Sequence, residues 1–280
     1  MKRITLCADD FAQSAPISSG ILQLVAAGRL QAVSCLTESP EWPQFAPRLK
    51  ALGTSHQTGL HFNLTHSFQA TTLARSGVEP EPNASVQTLG HLILRALLHQ
   101  LDCTAIRRRF VQQWQLFETH YGQPPAFVDG HQHVHAFPMI RHIVIEETQQ
   151  RNPSAWLRVP YASGLMPKVL VMRTLTAGLA ARLRNADLSS NARFAGFRPF
   201  YADFDFARFF RHLLTTMSNP TLVMCHPGLA ADDAADPIAR CRQAELDYFL
   251  SDQFPADLAA ADVRPGECVR SAAPSTGMFA

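Results

Sequence analysis

The 280-residue chain has six cysteines (Cys7, Cys35, Cys103, Cys225, Cys241 and Cys268) and no Cys-x-x-Cys pair among them. A zinc site built on thiolates is therefore not expected, and reduced thiols are the default for a chain of this size that lacks a leader. The segment Met1-Lys2-Arg3-Ile4-Thr5-Leu6 runs into acidic residues too soon to hold the apolar core of a signal peptide, so the expected location is cytoplasmic. No apolar run reaches the length of a membrane span, so no integral membrane segment is expected. Charge of one sign is missing too: 25 Lys and Arg stand against 23 Asp and Glu, a balance that argues against a nucleic-acid partner. The densest basic run, Arg107-Arg108-Arg109, sits in a helical stretch and reads as its solvated face. Neither an internal repeat nor a domain boundary is visible, so residues 1–280 read as one domain.

What is present is apolar material, 46% of the chain, enough for a sizeable core. Arg3–Ala8 reads as a buried strand ending on Asp9-Asp10. A helix follows, with Ser14 as N-cap, Pro16 in its first turn and a stop at Gly28. Ala32–Leu36 and Thr58–Thr65 read as further strands, with a helix over Glu41–Leu52 between them. This alternation favours a parallel sheet or barrel. Residues His66 to Gln87 lack periodicity and are expected to form an active-site cover. Ile106, Phe110, Trp114 and Phe117 make one apolar helical stripe, a core face. Ala126–Asp129, Trp156–Pro160 and Thr221–Cys225 complete the strands, with helices around Val169–Leu183 and Phe206–Met217 and a terminal helix carrying Arg240, Arg242, Glu245 and Leu246.

Four of the apolar runs end, or are interrupted, at an ionisable group: Asp9-Asp10, His61, the row Asp129-Gly-His131-Gln-His133-Val-His135, and His226. In parallel α/β folds the carboxyl ends of strands converge on the functional face. An extended backbone through the row would point its three imidazoles the same way. The adjacent carboxylates Asp9 and Asp10 repel, and a nearby cation keeps both ionised. One carboxylate with two imidazoles leaves coordination positions open, as catalysis requires. Oxygen and nitrogen donors together suit zinc, magnesium, manganese or cobalt.

Ala8-Asp-Asp-Phe11, Gly59-Leu-His-Phe-Asn-Leu-Thr65, Asp129-Gly-His-Gln-His-Val-His135 and Cys225-His-Pro-Gly228 together resemble the motifs of the YdjC-like family, in matching order and spacing from residue 3 to about 250. That family includes chito-oligosaccharide and hopanoid-biosynthesis deacetylases, relatives of the NodB polysaccharide deacetylases. The resemblance implies an irregular (β/α) barrel and hydrolysis of an N-acetyl group from an amino sugar, the small-molecule substrate. It implies one divalent cation, magnesium before zinc or another transition metal, on Asp10, His61 and His131. Asp9 becomes the base and His226 the acid for the leaving amine. Arg158 is expected to reach the substrate. Asn63, Asp129, His133 and His135 are expected to bind substrate or support the ligands. Ala12-Gln13 and Gln132 depart from the family pattern and bear on which sugar fits. Other metal-dependent hydrolysis, of phosphoesters or cyclic amides, and non-catalytic sugar binding at a residual metal site stay open as alternatives, as does a homodimer.

Overall fold

The computed structural model describes residues 1–68, 88–161, 167–201, 203–231 and 236–270. The expected cover, His66 to Gln87, falls mostly on 69–87, outside them.

The first strand, β1 (Lys2–Phe11), is buried from Ile4 onward on both faces, and its near-continuous apolar run is the pattern of a strand in a parallel sheet. Helix α1 (Ala15–Ala26) has Pro16 in its first turn and is followed by Gly28 at φ +67°, the left-handed stop that glycine adopts without strain. Strand β2 (Ala32–Cys35), helix α2 (Trp42–Ala51) and strand β3 (Gln57–Phe62) continue the alternation. Helices α3 (Leu89–Leu97) and α4 (Cys103–Tyr121) then precede β4 (Phe127–Gly130). The stripe expected on α4 is buried: Phe110, Trp114 and Phe117 have no exposed surface, and Phe117 packs on Trp42 of α2. The basic run on the same helix differs from expectation. Arg107 pairs with Glu146 and Glu147, and Arg109 pairs with Glu38, so these charges join elements instead of only facing solvent.

After β4 come a 3₁₀ turn (His131–Ala136), α5 (Ile140–Arg151) and a β5 shortened to Trp156–Leu157. The helical stretch near 169–183 divides into α6 (Pro167–Thr176) and α7 (Leu179–Asn185) at Gly178, whose φ is +78°. Two short strands follow, β6 (Ser190–Asn191) and β7 (Phe194–Ala195), then α8 (Phe206–Thr216), β8 (Thr221–Cys225) and α9 (Ala239–Leu250). The segment beyond α9 is more than a tail. It forms α10 (Gln253–Ala260), β9 (Val263–Pro265), which pairs with the start of β1, and β10 (Val269–Arg270), which pairs with β6.

The sheet order is β10-β6-β5-β4-β3-β2-β1-β8-β7, and every ladder except β10 with β6 is parallel. Strands β6 and β7 flank the sheet on its two sides, yet only Ala192 and Arg193 separate them in sequence. Chain continuity thus draws the sheet into a nearly closed α/β barrel. Parallel strands all present their carboxyl ends at one mouth, which is where Asp9, Asp10, His61, Asp129 and His226 stand.

Closure depends on a tight seam after β7. Gly196 has φ +112°, and a Cβ there would lie 2.4 Å from the Met224 carbonyl oxygen on β8. Gly196→Ala should lower the unfolding free energy by about 1–3 kcal/mol through backbone strain alone. A urea titration would register this as a lower midpoint at unchanged slope; a midpoint equal to the parent would remove the seam argument.

Candidate active site

Two carboxylates side by side on a regular strand would point to opposite faces. Strand β1 breaks that alternation. Its register with β2 slips between Ala8 and Phe11, and Asp10 takes a left-handed φ of 67°, with Ala12 at 71°. Such a conformation costs a non-glycine residue about 1–3 kcal/mol and persists where the surroundings over-determine it. Both carboxylates reach the same buried mouth, where each is about 2% exposed.

Strands β3 and β4 set His61 beside Asp129 in register. His61 Nδ1 lies 2.6 Å from Asp129 Oδ1, and the Ser34 hydroxyl from β2 donates to that same oxygen. The arrangement puts the His61 proton on Nδ1 and leaves Nε2 facing Asp10 Oδ1 at 3.4 Å. His131 Nδ1 approaches that oxygen at 3.0 Å. Asp10, His61 and His131 therefore offer ligand atoms all within 4.8 Å of one another. A carboxylate behind a ligating imidazole fixes its tautomer and raises its basicity, the usual support of a metal ligand. Burial alone would lower the pKa of His61, but the Asp129 and Asp10 carboxylates carry it up to about 10.

A second grouping, Cys7, Asp9 and Asp129, is equally close. It is filled by a guanidinium. Arg158 donates to both Asp9 oxygens at 2.6 and 2.7 Å, pairs with Asp129 Oδ2 at 2.6 Å and reaches Cys7 Sγ at 3.0 Å. Arg158 has no exposed surface, and its guanidinium is taken up by the carboxylates it orients.

The histidine row also departs from the extended comb. Gln132 and His133 have φ of 52° and 62°, which folds the row into the 3₁₀ turn and sends the rings apart. His131 faces Asp10. His133 is 8% exposed and packs edge-on against Phe194 and Phe197. His135 is wholly buried, with Nε2 2.8 Å from the Arg158 carbonyl, and burial brings its pKa down to about 4. It enters as a neutral donor that ties the turn to the residue after β5. Asn63 is likewise spent on its own turn: its oxygen accepts from the backbone of Thr65 and His66, and its amide donates to Glu38 and the His66 carbonyl.

Helix α9 supplies groups to which the sequence assigns no role. Arg242 donates to Asp10 Oδ2 at 2.8 Å and to Asp236 at 2.6 Å. One Asp10 oxygen thus faces the two histidines while the other is held by a guanidinium. Burial would favour the protonated Asp10, but the Arg242 charge and the hydrogen bonds from His131 and His61 hold its carboxyl well below the ordinary range. Glu245, one turn on, accepts the His226 backbone N–H at 2.6 Å and pairs with Arg198. The His226 ring meets Phe200 edge-on at 5.4 Å. Burial pushes its pKa down against the pull of the Asp10 and Asp9 carboxylates. Phe194, Phe197 and Phe200 each lie edge-on against His133 or His226. Only the i, i+3 spacing of Arg242 and Glu245 on an otherwise apolar helix face could have flagged these two in sequence.

Counting charge tests the fit of a cation. Asp9, Asp10, Asp129 and Asp236 are buried carboxylates, and Arg158 and Arg242 are the guanidiniums buried among them. Four against two leaves two negative charges, of which a protonated His61 answers one until a cation displaces its proton, in a medium that penalises unpaired charge heavily. A divalent cation on Asp10, His61 and His131 balances that deficit, and the mixed carboxylate and imidazole set suits one.

The class is thus a parallel α/β barrel with a candidate metal centre, and acid and base candidates beside it, at the carboxyl ends of its strands. The chain belongs to the YdjC-like family, whose model matches residues 3–260. Chitooligosaccharide deacetylases of Salmonella newport and Salmonella paratyphi C are 27% and 28% identical to it over 279 residues, covering 95% of this chain and 98% of theirs. A solved Enterococcus faecalis structure, provisionally named a cellobiose-phosphate cleavage protein, matches with a TM-score of 0.68 over 95% of this chain and 97% of that one. At 14% identity that likeness is one of fold.

Removing the carboxylate behind His61 should weaken the centre without deleting a ligand. Asp129→Asn is expected to lower divalent-cation affinity by about 10–100-fold, read by calorimetric titration of folded protein. Affinity unchanged in Asp129→Asn would leave Asp129 as a partner of Arg158 alone.

Proposed function

We propose that this chain is a metal-dependent carbohydrate N-deacetylase that hydrolyses the acetamide of an N-acetylated amino sugar, a chito-oligosaccharide or a hopanoid-linked acetamido sugar. The observation that carries the proposal is the convergence of Asp9, Asp10, His61, His131 and His226 at one mouth. The likeness to chitooligosaccharide deacetylases along nearly the whole chain supports the substrate class. A cytoplasmic location belongs to the same proposal and rests on six free cysteines.

Asp10, His61 and His131 would hold the cation. When bound, a divalent cation supplies Lewis-acid chemistry, polarising a carbonyl oxygen and offsetting the negative charge that develops there. Asp9 takes the proton of the attacking water. Its two oxygens are aligned by Arg158, so the carboxylate waits in one orientation. His226 passes a proton to the departing nitrogen. Its ring rests neutral because it is buried; negative charge developing on the carbonyl oxygen favours uptake of a proton from solvent, and that proton passes to the nitrogen. Glu245 and Arg242 hold the loop and the ligand on which these groups depend. Phe197 and Phe200, both half-buried, keep water from the mouth and strengthen each charge interaction inside it.

Acetate release from a panel of N-acetylated sugars tests the proposal. Turnover is expected with divalent cation present, and a fall of at least about 100-fold is expected in Asp9→Asn with cation binding retained. Full activity after chelation, or phosphate release from sugar phosphates without acetate release, would sink it.

A further inference from the structure

Arg198 is the one cation within a run of phenylalanines, Phe194, Phe197, Phe200, Phe204 and Phe206. A flat, weakly hydrated guanidinium can be buried among phenyl rings where an ammonium would lose its water. Arg198 is only 8% exposed, and its guanidinium lies 4.5 Å from the ring centroid of Phe200 and 5.2 Å from those of Phe204 and Phe206. Its charge is answered by the buried Glu245 of α9: Nε donates to Glu245 Oε1 at 3.0 Å and Nη2 donates to the same oxygen. Nη1 donates to the Pro199 carbonyl at 2.9 Å, so all three nitrogens are committed.

The other Glu245 oxygen accepts the His226 backbone N–H at 2.6 Å. The His226 imidazole is held differently. Among the described residues no hydrogen bond reaches its ring, whereas His61 has Asp129 behind it. The aromatic ring packed on that imidazole is Phe200, at 5.4 Å and an interplanar angle of 87°. Phe200 is half-buried and belongs to residues 196–201, which form neither helix nor strand, so alone it would be a loose support. The guanidinium on its ring supplies the missing anchor. The contacts therefore close a circuit from the His226 backbone through Glu245, Arg198 and Phe200 to the His226 ring. Proton transfer depends on the donor standing within hydrogen-bond reach of one atom, so a ring without an orienting hydrogen bond needs such support. We propose that Arg198 is a positioning residue for His226, acting on its backbone through Glu245 and on its imidazole through Phe200. The inference rests on the reading of His226 as the acid of a deacetylase.

Arg198→Lys keeps a charge for Glu245 but gives up the flat contact with Phe200. Histidine-ring NMR of the full chain, with the His226 signals assigned from His226→Ala, reads the geometry, and acetate release from an acetamido sugar reads the role. In Arg198→Lys the His226 ring signals are expected to broaden or split while the other histidine signals stay in place. Its kcat is expected to fall about 10–100-fold with KM near that of the parent. Phe200→Leu should broaden the same signals, and this holds the proposal to account even where Arg198→Lys fails to fold. Adding Arg198→Lys to Phe200→Leu should lower kcat little further, because the link it breaks is already gone. Sharp His226 signals in both single variants, a loss confined to KM, or a fully additive loss in the double variant would overturn the proposal. A parent chain that releases no acetate from any acetamido sugar would overturn the deacetylase reading instead, and the role of Arg198 in proton transfer would fall with it while the NMR result stood.

Discussion

Asp10 is claimed from two directions, and the mouth of the barrel is arranged around that division. One oxygen faces His61 and His131; the other is held by Arg242. A carboxylate this deeply buried is stable only if its charge is answered. The answers come from β3, from the turn after β4 and from a helix more than 200 residues further along the chain. Asp9 repeats the logic with Arg158, just after β5, and shares that guanidinium with Asp129. The polar centre is thus a set of ties between distant segments as well as a place for chemistry. Those ties are what hold β1 in its strained course through Asp10.

The alternation of strands and helices was legible because each strand is an apolar run flanked by turn residues. The site carboxylates and imidazoles were legible because they fall where such runs end. The α4 stripe, with its 3.6-residue period, could be assigned to the core for the same reason. What sequence pattern hid was conformational. Nothing in Gln132 or His133 announces a positive φ, and without that bend the histidine row reads as a comb of ligands. Arg158 was visible as a charge among apolar neighbours, but whether it pointed to substrate or inward to Asp9 depends on β5 stopping at Leu157. Arg242 and Glu245 were hidden in another way. A polar pair on a terminal helix looks like a solvated face until the fold turns that face toward β1. Ser34 gave no signal, since a serine inside a short apolar strand is commonplace.

The charged groups at the mouth divide into those free to react and those that keep them in place. Arg158, Arg242, Glu245 and Asp129 are almost wholly buried and committed to partners within the protein. His131 and His226 retain some exposure; the half-buried Phe200 packs edge-on against His226, and the half-buried Phe197 against His133. A substituent entering the mouth therefore meets imidazole and phenyl surface before it meets the buried charges. Under the proposed function, discrimination among sugars would fall to the aromatic strip of Phe194, Phe197 and Phe200, and the reaction to the strand ends beneath it. The short link from β6 to β7 that draws the two sides of the sheet together also carries this aromatic strip across the opening. Closing the barrel and shaping its entrance are one structural event.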